Sequence, residues 1–227
     1  MKTLVVLSGA GVSAESGIPV MTNATTWRGY QIHEVASQEK WDNEPQLLID
    51  FYNERRREFA PILPNDAHKI IKELELQYKV YVITTNVDNL HEKAGSKNVI
   101  HLHGNITKVQ SEKNPKLIYD WNEDLKLGDV DENGHQLRPN VVFFGETMPT
   151  IEPAVKICSQ ADVMIIVGSA MQVYPAAILY TFAPKNCKIY VVNPVKPNLA
   201  TANKIEHIAE NAVQGMKAVY EKLKNEA

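Results

Sequence analysis

Thr3-Leu4-Val5-Val6-Leu7-Ser8-Gly9-Ala10-Gly11-Val12-Ser13 is an apolar, β-branched run that breaks at once into a pair of glycines. So short a run is a strand rather than a helix, and its lack of polar alternation marks it as covered on both faces, as in a parallel sheet. Glycines placed directly after such a strand let backbone amides approach a pyrophosphate at a helix start. The third glycine of the dinucleotide fingerprint is missing, so on these residues alone a structural turn is an alternative reading.

Four further runs of the same kind follow: Val80 to Thr84, Val99 to Leu102, Val163 to Val167 and Lys188 to Val192. Between them the spacing is helical, most clearly from Asn65 to Gln77, where Ala67, Ile70, Ile71 and Leu74 share a face behind an Asn65 cap. Alternating strand and helix predicts an α/β fold, a doubly wound, Rossmann-like parallel sheet. Two stretches depart from the alternation. Residues 23–64 are polar and helix-prone, and residues 105–138 carry SEKNPK and GDVDENGHQ, which suit an exposed loop or hairpin. The expected organisation is one domain, 1–227, with a core of 1–22, 65–104 and 139–227 and these two stretches as small helical and loop insertions.

The 227 residues suffice for one well-filled core, and a net charge of -3 lacks the basic excess that nucleic-acid binding requires. The apolar run at the amino end is too short for a signal peptide, and no membrane span follows. Two isolated cysteines, Cys158 and Cys187, form neither a disulfide framework nor a metal cage, which fits a reducing cytoplasm.

Two more clusters sit at predicted strand ends, where ligands bind in such folds. In Thr84-Thr85-Asn86-Val87-Asp88-Asn89-Leu90-His91, the polar groups are either a ligand site or an Asn/Asp-rich helix cap. In Val99-Ile100-His101-Leu102-His103-Gly104-Asn105, alternation puts both histidines on one face, with His103 placed for general-base work. With no cysteine nearby and no third ligand, the pair is not read as a metal site, and His101 is read as structural.

Together these clusters resemble the Sir2 family, over nearly the whole chain. Gly9 to Pro19 (GAGVSAESGIP) is similar to the family's opening motif, Asn86 to Gly95 (NVDNLHEKAG) to its second and His103-Gly104 to its catalytic pair. Arg138 to Glu146 (RPNVVFFGE) resembles its acyl-lysine strand, and Gly168 to Ala177 (GSAMQVYPAA) its ribose-phosphate loop. The resemblance implies an NAD-consuming protein-lysine deacylase: the acyl oxygen of a modified lysine attacks the nicotinamide-bearing ribose carbon, nicotinamide leaves, and His103 takes a ribose hydroxyl proton. It assigns Asn86 to the ribose and its water, Val87 and Asp88 to the nicotinamide carboxamide, and Asn193 to the adenosine ribose. It adds Gly9, Ala10, Gly11, Ser13, Ser16, Pro19, Gly168, Ser169, Ala170 and Ala212 to the cofactor site, and Val141, Phe144 and Gly145 to the substrate site. The family often carries a four-cysteine zinc ribbon in its second insertion. Here residues 105–139 contain no cysteine, so no zinc is expected.

Four positions depart from the family pattern. Met21-Thr22 stands where Phe-Arg is usual, Thr85 where Gln is usual, and Ala170 where a second hydroxyl is usual. An aromatic lid and a guanidinium beside the reacting ribose shield it from water and position substrate; Trp27 and Arg28 are close enough in sequence to fold back in their place. Phe51-Tyr52-Asn53-Glu54-Arg55 resembles the helix on which some sirtuins carry Tyr-x-x-Arg for acidic acyl groups, and a spacing of three puts Tyr52 and Arg55 on one helix face. The bland alternative is a solvated basic face with Tyr52 packed beneath it. Three functions are thus in play: deacylation of protein lysines, including succinyl and malonyl groups; NAD hydrolysis or ADP-ribosyl transfer; and a non-catalytic NAD or ADP-ribose sensor, against which His103 argues.

Overall fold

The chain starts on β1 (Thr3–Ser8) and passes through Gly9 into the short helix α1 (Ala10–Ala14). In the computed structural model, which describes residues 1–21 and 24–226, a first excursion follows. It holds the hairpin β2 (Thr26–Trp27) and β3 (Tyr30–Gln31), then α2 (Ile32–Val35), α3 (Gln38–Asn43) and α4 (Pro45–Phe59). The chain returns through α5 (Asp66–Glu73), β4 (Lys79–Thr84), α6 (Leu90–Lys93) and β5 (Val99–His101). The second excursion is β6 (Gly104–Ser111), β7 (Ile118–Asp120) and β8 (Leu137–Val141). Last come α7 (Ile151–Cys158), β9 (Val163–Val167), β10 (Lys188–Val192), β11 (Ile205–Ile208) and α8 (Ala212–Glu226).

The main sheet runs β11-β10-β9-β1-β4-β5, with each neighbouring pair parallel. The strand order reverses direction between β1 and β9, and that switch point is where an open α/β sheet binds ligands. Helices cover both faces, which is why the central strands carry no polar alternation. On one face Leu4, Val6, Val82 and Ile165 pack with Ala67 and Ile71 of α5 and Met216 and Val219 of α8. On the other, Val5, Ile83 and Ile166 pack with Ala154 and Cys158 of α7 and with Leu179 and Tyr180 of a 3₁₀ stretch, Ala176–Phe182. Asn65 caps α5 by accepting from the Ala67 amide at 2.9 Å. The helix is shorter than its apolar spacing predicts, because it tightens into a 3₁₀ turn at Leu74–Leu76.

The second excursion takes the hairpin alternative, β6 against β7, and extends it into a three-stranded antiparallel sheet, β7-β6-β8, whose β8 straddles the boundary expected at residue 139. A third core joins it to the first excursion, with Leu48, Ile49, Phe51 and Tyr52 of α4 against Val109, Leu125, Leu137 and Phe143. Two buried polar residues of α4 lock this joint. Asn53 bonds both the amide and the carbonyl of Leu125, and Arg56 donates to the carbonyls of Ile106 and Glu123.

Among the described residues, no group of three or more His, Cys, Asp or Glu is placed to hold a metal ion. Cys158 and Cys187 are buried beneath the main sheet, where burial pushes their thiols up to about 12 and about 11. Among the same residues, no helix is long and apolar enough to cross a membrane.

Candidate active site

The loops after β1 and β9 interlock at the switch point. Gly11 N donates to Gly168 O at 2.9 Å and Gly9 N to Val167 O at 3.1 Å. A Cβ on Gly11 would lie 2.7 Å from Gly168 Cα, and Gly168 itself has φ +60 and abuts Val12 N. The glycines therefore serve the approach of one loop to the other. The amides of Gly9 and Gly11, expected to face a pyrophosphate, are already committed to these loop contacts.

Two clefts meet above this junction, sharing Ala10, Met21, Thr85 and Val173 in their walls. One, of about 580 Å³, is lined by Gly9, Gly168, Ser169 and Ala170. The other, of about 460 Å³, brings together Ser13, Pro19, Asn86, Val87, Asp88 and His103 with Tyr52, Arg55, Val141, Phe144 and Gly145.

The floor of the second cleft comes from the turn after β4. Thr84 Oγ1 accepts from the Asn86 amide at 3.0 Å, and the Asn86 side chain donates to Ser13 Oγ at 3.1 Å, tying this turn to α1. Asp88 Oδ1 accepts from Leu90 N at 3.0 Å. Burial raises the Asp88 carboxyl above its ordinary range, against the opposing bonds from Leu90 and Ser13. His103 Nδ1 bonds Thr85 O at 2.9 Å, so its neutral ring carries the lone pair on Nε2. Burial lowers its pKa despite the Thr85 carbonyl, which keeps the ring neutral at neutral pH. Gly104 follows at φ +82, where a side chain would strike Asn140 O, so the chain can leave His103 and enter β6 beside β8.

Arg55 and Tyr52 do share a wall. Arg55 Nη2 donates to Glu54 at 2.9 Å and Glu58 at 2.8 Å, while its buried Nε has no partner. Tyr52 is buried and lies nearly parallel to Phe143, with ring centroids 6.0 Å apart, and burial pushes its phenol well above the ordinary tyrosine value.

A model of the Sir2 family matches residues 9–175. The chain belongs to the Sir2 family. It is 49% identical over 224 residues to an NAD-dependent protein deacylase of Helicobacter pylori, covering 98% of this chain and 96% of the relative. Against a deacylase of the same description from Bacteroides thetaiotaomicron, identity is 42%, with 95% of each chain covered. Among solved structures, a Sir2 homolog in complex with NAD superposes with a TM-score of 0.88 at 33% identity, covering 99% of this chain and 90% of that one. Sir2Tm bound to a propionylated peptide gives 0.79 at 30% identity, covering 97% and 93%.

Within this Sir2 frame four of the expected cofactor positions, Gly11, Ser16, Asn193 and Ala212, stand outside the walls of these two clefts. Ser16 Oγ accepts from Asn65, Asn193 Nδ2 donates to Val195 O, and Ala212 is buried in the main core. Trp27 and Arg28 do not fold back over the cofactor loop: Trp27 is buried edge-on against Phe51, and Arg28 stacks on Trp27 and pairs with Glu54 and Asp50. Met21 reaches both clefts, while Thr22 lies outside the described residues. Sequence reading also missed the Arg138–Glu146 pair, two bonds of 2.6 and 2.8 Å, in which Glu146 accepts from Phe143 N and fixes the cleft wall. The signal was an arginine and a glutamate bracketing the apolar run Val141 to Phe144.

Proposed function

We infer that this chain is an NAD-dependent protein-lysine deacylase, releasing nicotinamide and an O-acyl-ADP-ribose, with a preference for acidic acyl groups. The observation that carries the reading is one cleft with a neutral histidine at its floor and, in its wall, a half-buried arginine whose Nε has no partner.

NAD fits the paired clefts, whose junction is kept narrow by glycines that no other residue could replace. When bound, it supplies the electrophilic ribose carbon that the acyl oxygen attacks as nicotinamide departs. Asn86 and Asp88 hold the reacting end, presenting an amide and a carboxyl from a turn that Thr84 and Ser13 brace. His103 takes the ribose hydroxyl proton on Nε2, with Thr85 O fixing the tautomer throughout. Val141, Phe144 and Gly145 receive the acyl-lysine, and Tyr52 with Arg55 meets the far end of the acyl chain, where a guanidinium fork favours a carboxylate.

One observation favours a second reading. Trp27 and Arg28 are packed away from the cofactor loop, so nothing they offer replaces the guanidinium and aromatic lid usual in the family, and water entry would turn the reaction to NAD hydrolysis. Incubating the protein with NAD alone, with acetylated peptide and with succinylated peptide decides between them. Nicotinamide released only with peptide, together with acyl-ADP-ribose by mass, supports deacylation; release without peptide supports hydrolysis; no release at all indicates a sensor.

A further inference from the structure

Two histidines leave β5 two residues apart, and their Nδ1 atoms reach successive main-chain oxygens of the turn after β4: His103 reaches Thr85, and His101 reaches Asn86 at 2.8 Å. They differ at the other nitrogen. His103 lines the cleft, whereas His101 Nε2 meets Glu92 Oε1 at 2.7 Å. A carbonyl and a carboxylate can only accept, so a ring held between them carries a proton on each nitrogen and is a cation. Asn105 Nδ2 also stands 3.3 Å from His101 Nε2, but the shorter, charge-assisted contact to the carboxylate sets where that proton points.

The surrounding charges agree with a cation. Asp88, on the same turn, adds a second negative group, and Lys108 on β6 acts on Glu92. His91 on α6 is buried, and burial holds it neutral. From the start of α7, Thr150 reaches only the main-chain oxygen of His101 and carries no charge. Burial opposes the imidazolium of His101, but Glu92, the Asn86 carbonyl and Asp88 outweigh it and raise its pKa.

We propose that His101 is a positioning residue whose doubly protonated ring, braced by Glu92, pins the Asn86 main chain and with it the Asn86 and Asp88 side chains that bind NAD. Loss of the Nε2 proton turns a lone pair toward Glu92. The ring then keeps its Nδ1 proton toward Asn86 but loses its hold on Glu92, and without that brace it restrains the turn less firmly. The effect falls on cofactor affinity rather than on the proton transfer at His103, whose own anchor is Thr85. The proposal rests on the reading that Asn86 and Asp88 hold NAD.

The test compares the parent with Glu92→Gln and His101→Asn. In the NAD-free protein, proton NMR should show the His101 ring titrating above its ordinary value, and Glu92→Gln should lower that midpoint by about one pH unit or more. Calorimetry should show NAD affinity falling by about tenfold above the His101 midpoint in the parent. In Glu92→Gln the fall should begin at correspondingly lower pH, with KM for NAD changing more than kcat. His101→Asn, which keeps a donor toward Asn86 and cannot titrate, should bind NAD with an affinity independent of pH over that range. A parent ring titrating at or below its ordinary value overturns the proposal. So does NAD affinity that keeps the parent's pH dependence in either variant, and if Glu92→Gln fails to fold, His101→Asn decides alone. Asn86→Ala is the separate control: unchanged NAD affinity there removes the cofactor reading itself, whatever His101 does.

Discussion

His103 Nδ1 bonds the main-chain oxygen of Thr85 at 2.9 Å, an acceptor that cannot take or give a proton, so the ring's acid-base chemistry is confined to Nε2. His103→Ala should abolish turnover while leaving NAD affinity within about tenfold, because a base that acts after nicotinamide loss contributes little to ground-state binding. The pH profile follows from the direction of its shift. Burial places its pKa below 6.5, so the competent neutral form persists above that value and is lost as pH falls through the lowered pKa. The acid limb of kcat/KM should accordingly be centred below pH 6.5, and a limb centred above it would contradict the assignment.

On the function proposed above, Arg55 sets the sign of acyl selectivity. A charge-assisted bond to a carboxylate is worth about 1.5 to 3 kcal/mol, roughly ten- to hundredfold in catalytic efficiency. Arg55→Met should cost succinyl-lysine that factor while the acetyl-lysine rate stays level or rises. Glu58, which now shares the guanidinium, should act the other way: Glu58→Gln should favour the succinyl substrate. Parallel losses for both substrates in Arg55→Met would mean that it holds the helix or the cofactor.

Acid should unfold this protein through two buried imidazoles. His68 and His91 face each other at 4.8 Å under Ser8, and burial lowers His68 to about 4 and His91 well below its ordinary value. Above pH 6.5 both are neutral in either state and cost nothing. As pH falls from 6.5 toward 4, the unfolded chain binds protons that the folded chain refuses, and stability is lost. For His68 alone the loss approaches roughly 3 kcal/mol at pH 4. Urea midpoints measured through this window should fall, and His68→Gln should make the fall shallower.

Gly168→Ala should separate the two halves of the site. Its Cβ would lie 2.6 Å from the Gly11 carbonyl carbon at φ +60, a backbone clash that no rotamer relieves. We expect a loss of more than about 3 kcal/mol in urea unfolding, and NAD binding lost with it. Gly134→Ala is the control: φ is +81, but nothing lies within 4 Å, so only about 1–2 kcal/mol of backbone strain should appear.

The four central strands β1, β4, β9 and β10, and the clusters at the strand ends, were legible because burial on both faces leaves an uninterrupted apolar run, and a run needs no knowledge of its neighbours. β11 was not: Ile205-Glu206-His207-Ile208 is an edge strand with charged side chains, recognisable only once β10 is there to pair with it. The small sheet was legible only in part, as a loop or hairpin and, by resemblance, a strand from Arg138. Arg138 and Asn105 are not strand-forming on their own, and Glu146, Thr107 and α4 hold them in place. Proximity in sequence misled at Trp27 and Arg28, since a buried indole against Phe51 outweighs any contact across the cleft mouth.

Helix α4 serves the cleft and the scaffold on adjacent faces. Tyr52 and Arg55 belong to the cleft, and Asn53 and Arg56, each one residue further along, belong to the joint with the small sheet. A single inserted or deleted residue turns everything beyond it by about 100°, which would hand the anchoring positions to the acyl group and the recognition positions to the scaffold. If Tyr52 and Arg55 read the acyl group as proposed, acyl preference in this helix is written in a reading frame: it can drift by substitution at two positions, and it cannot drift by changes of length.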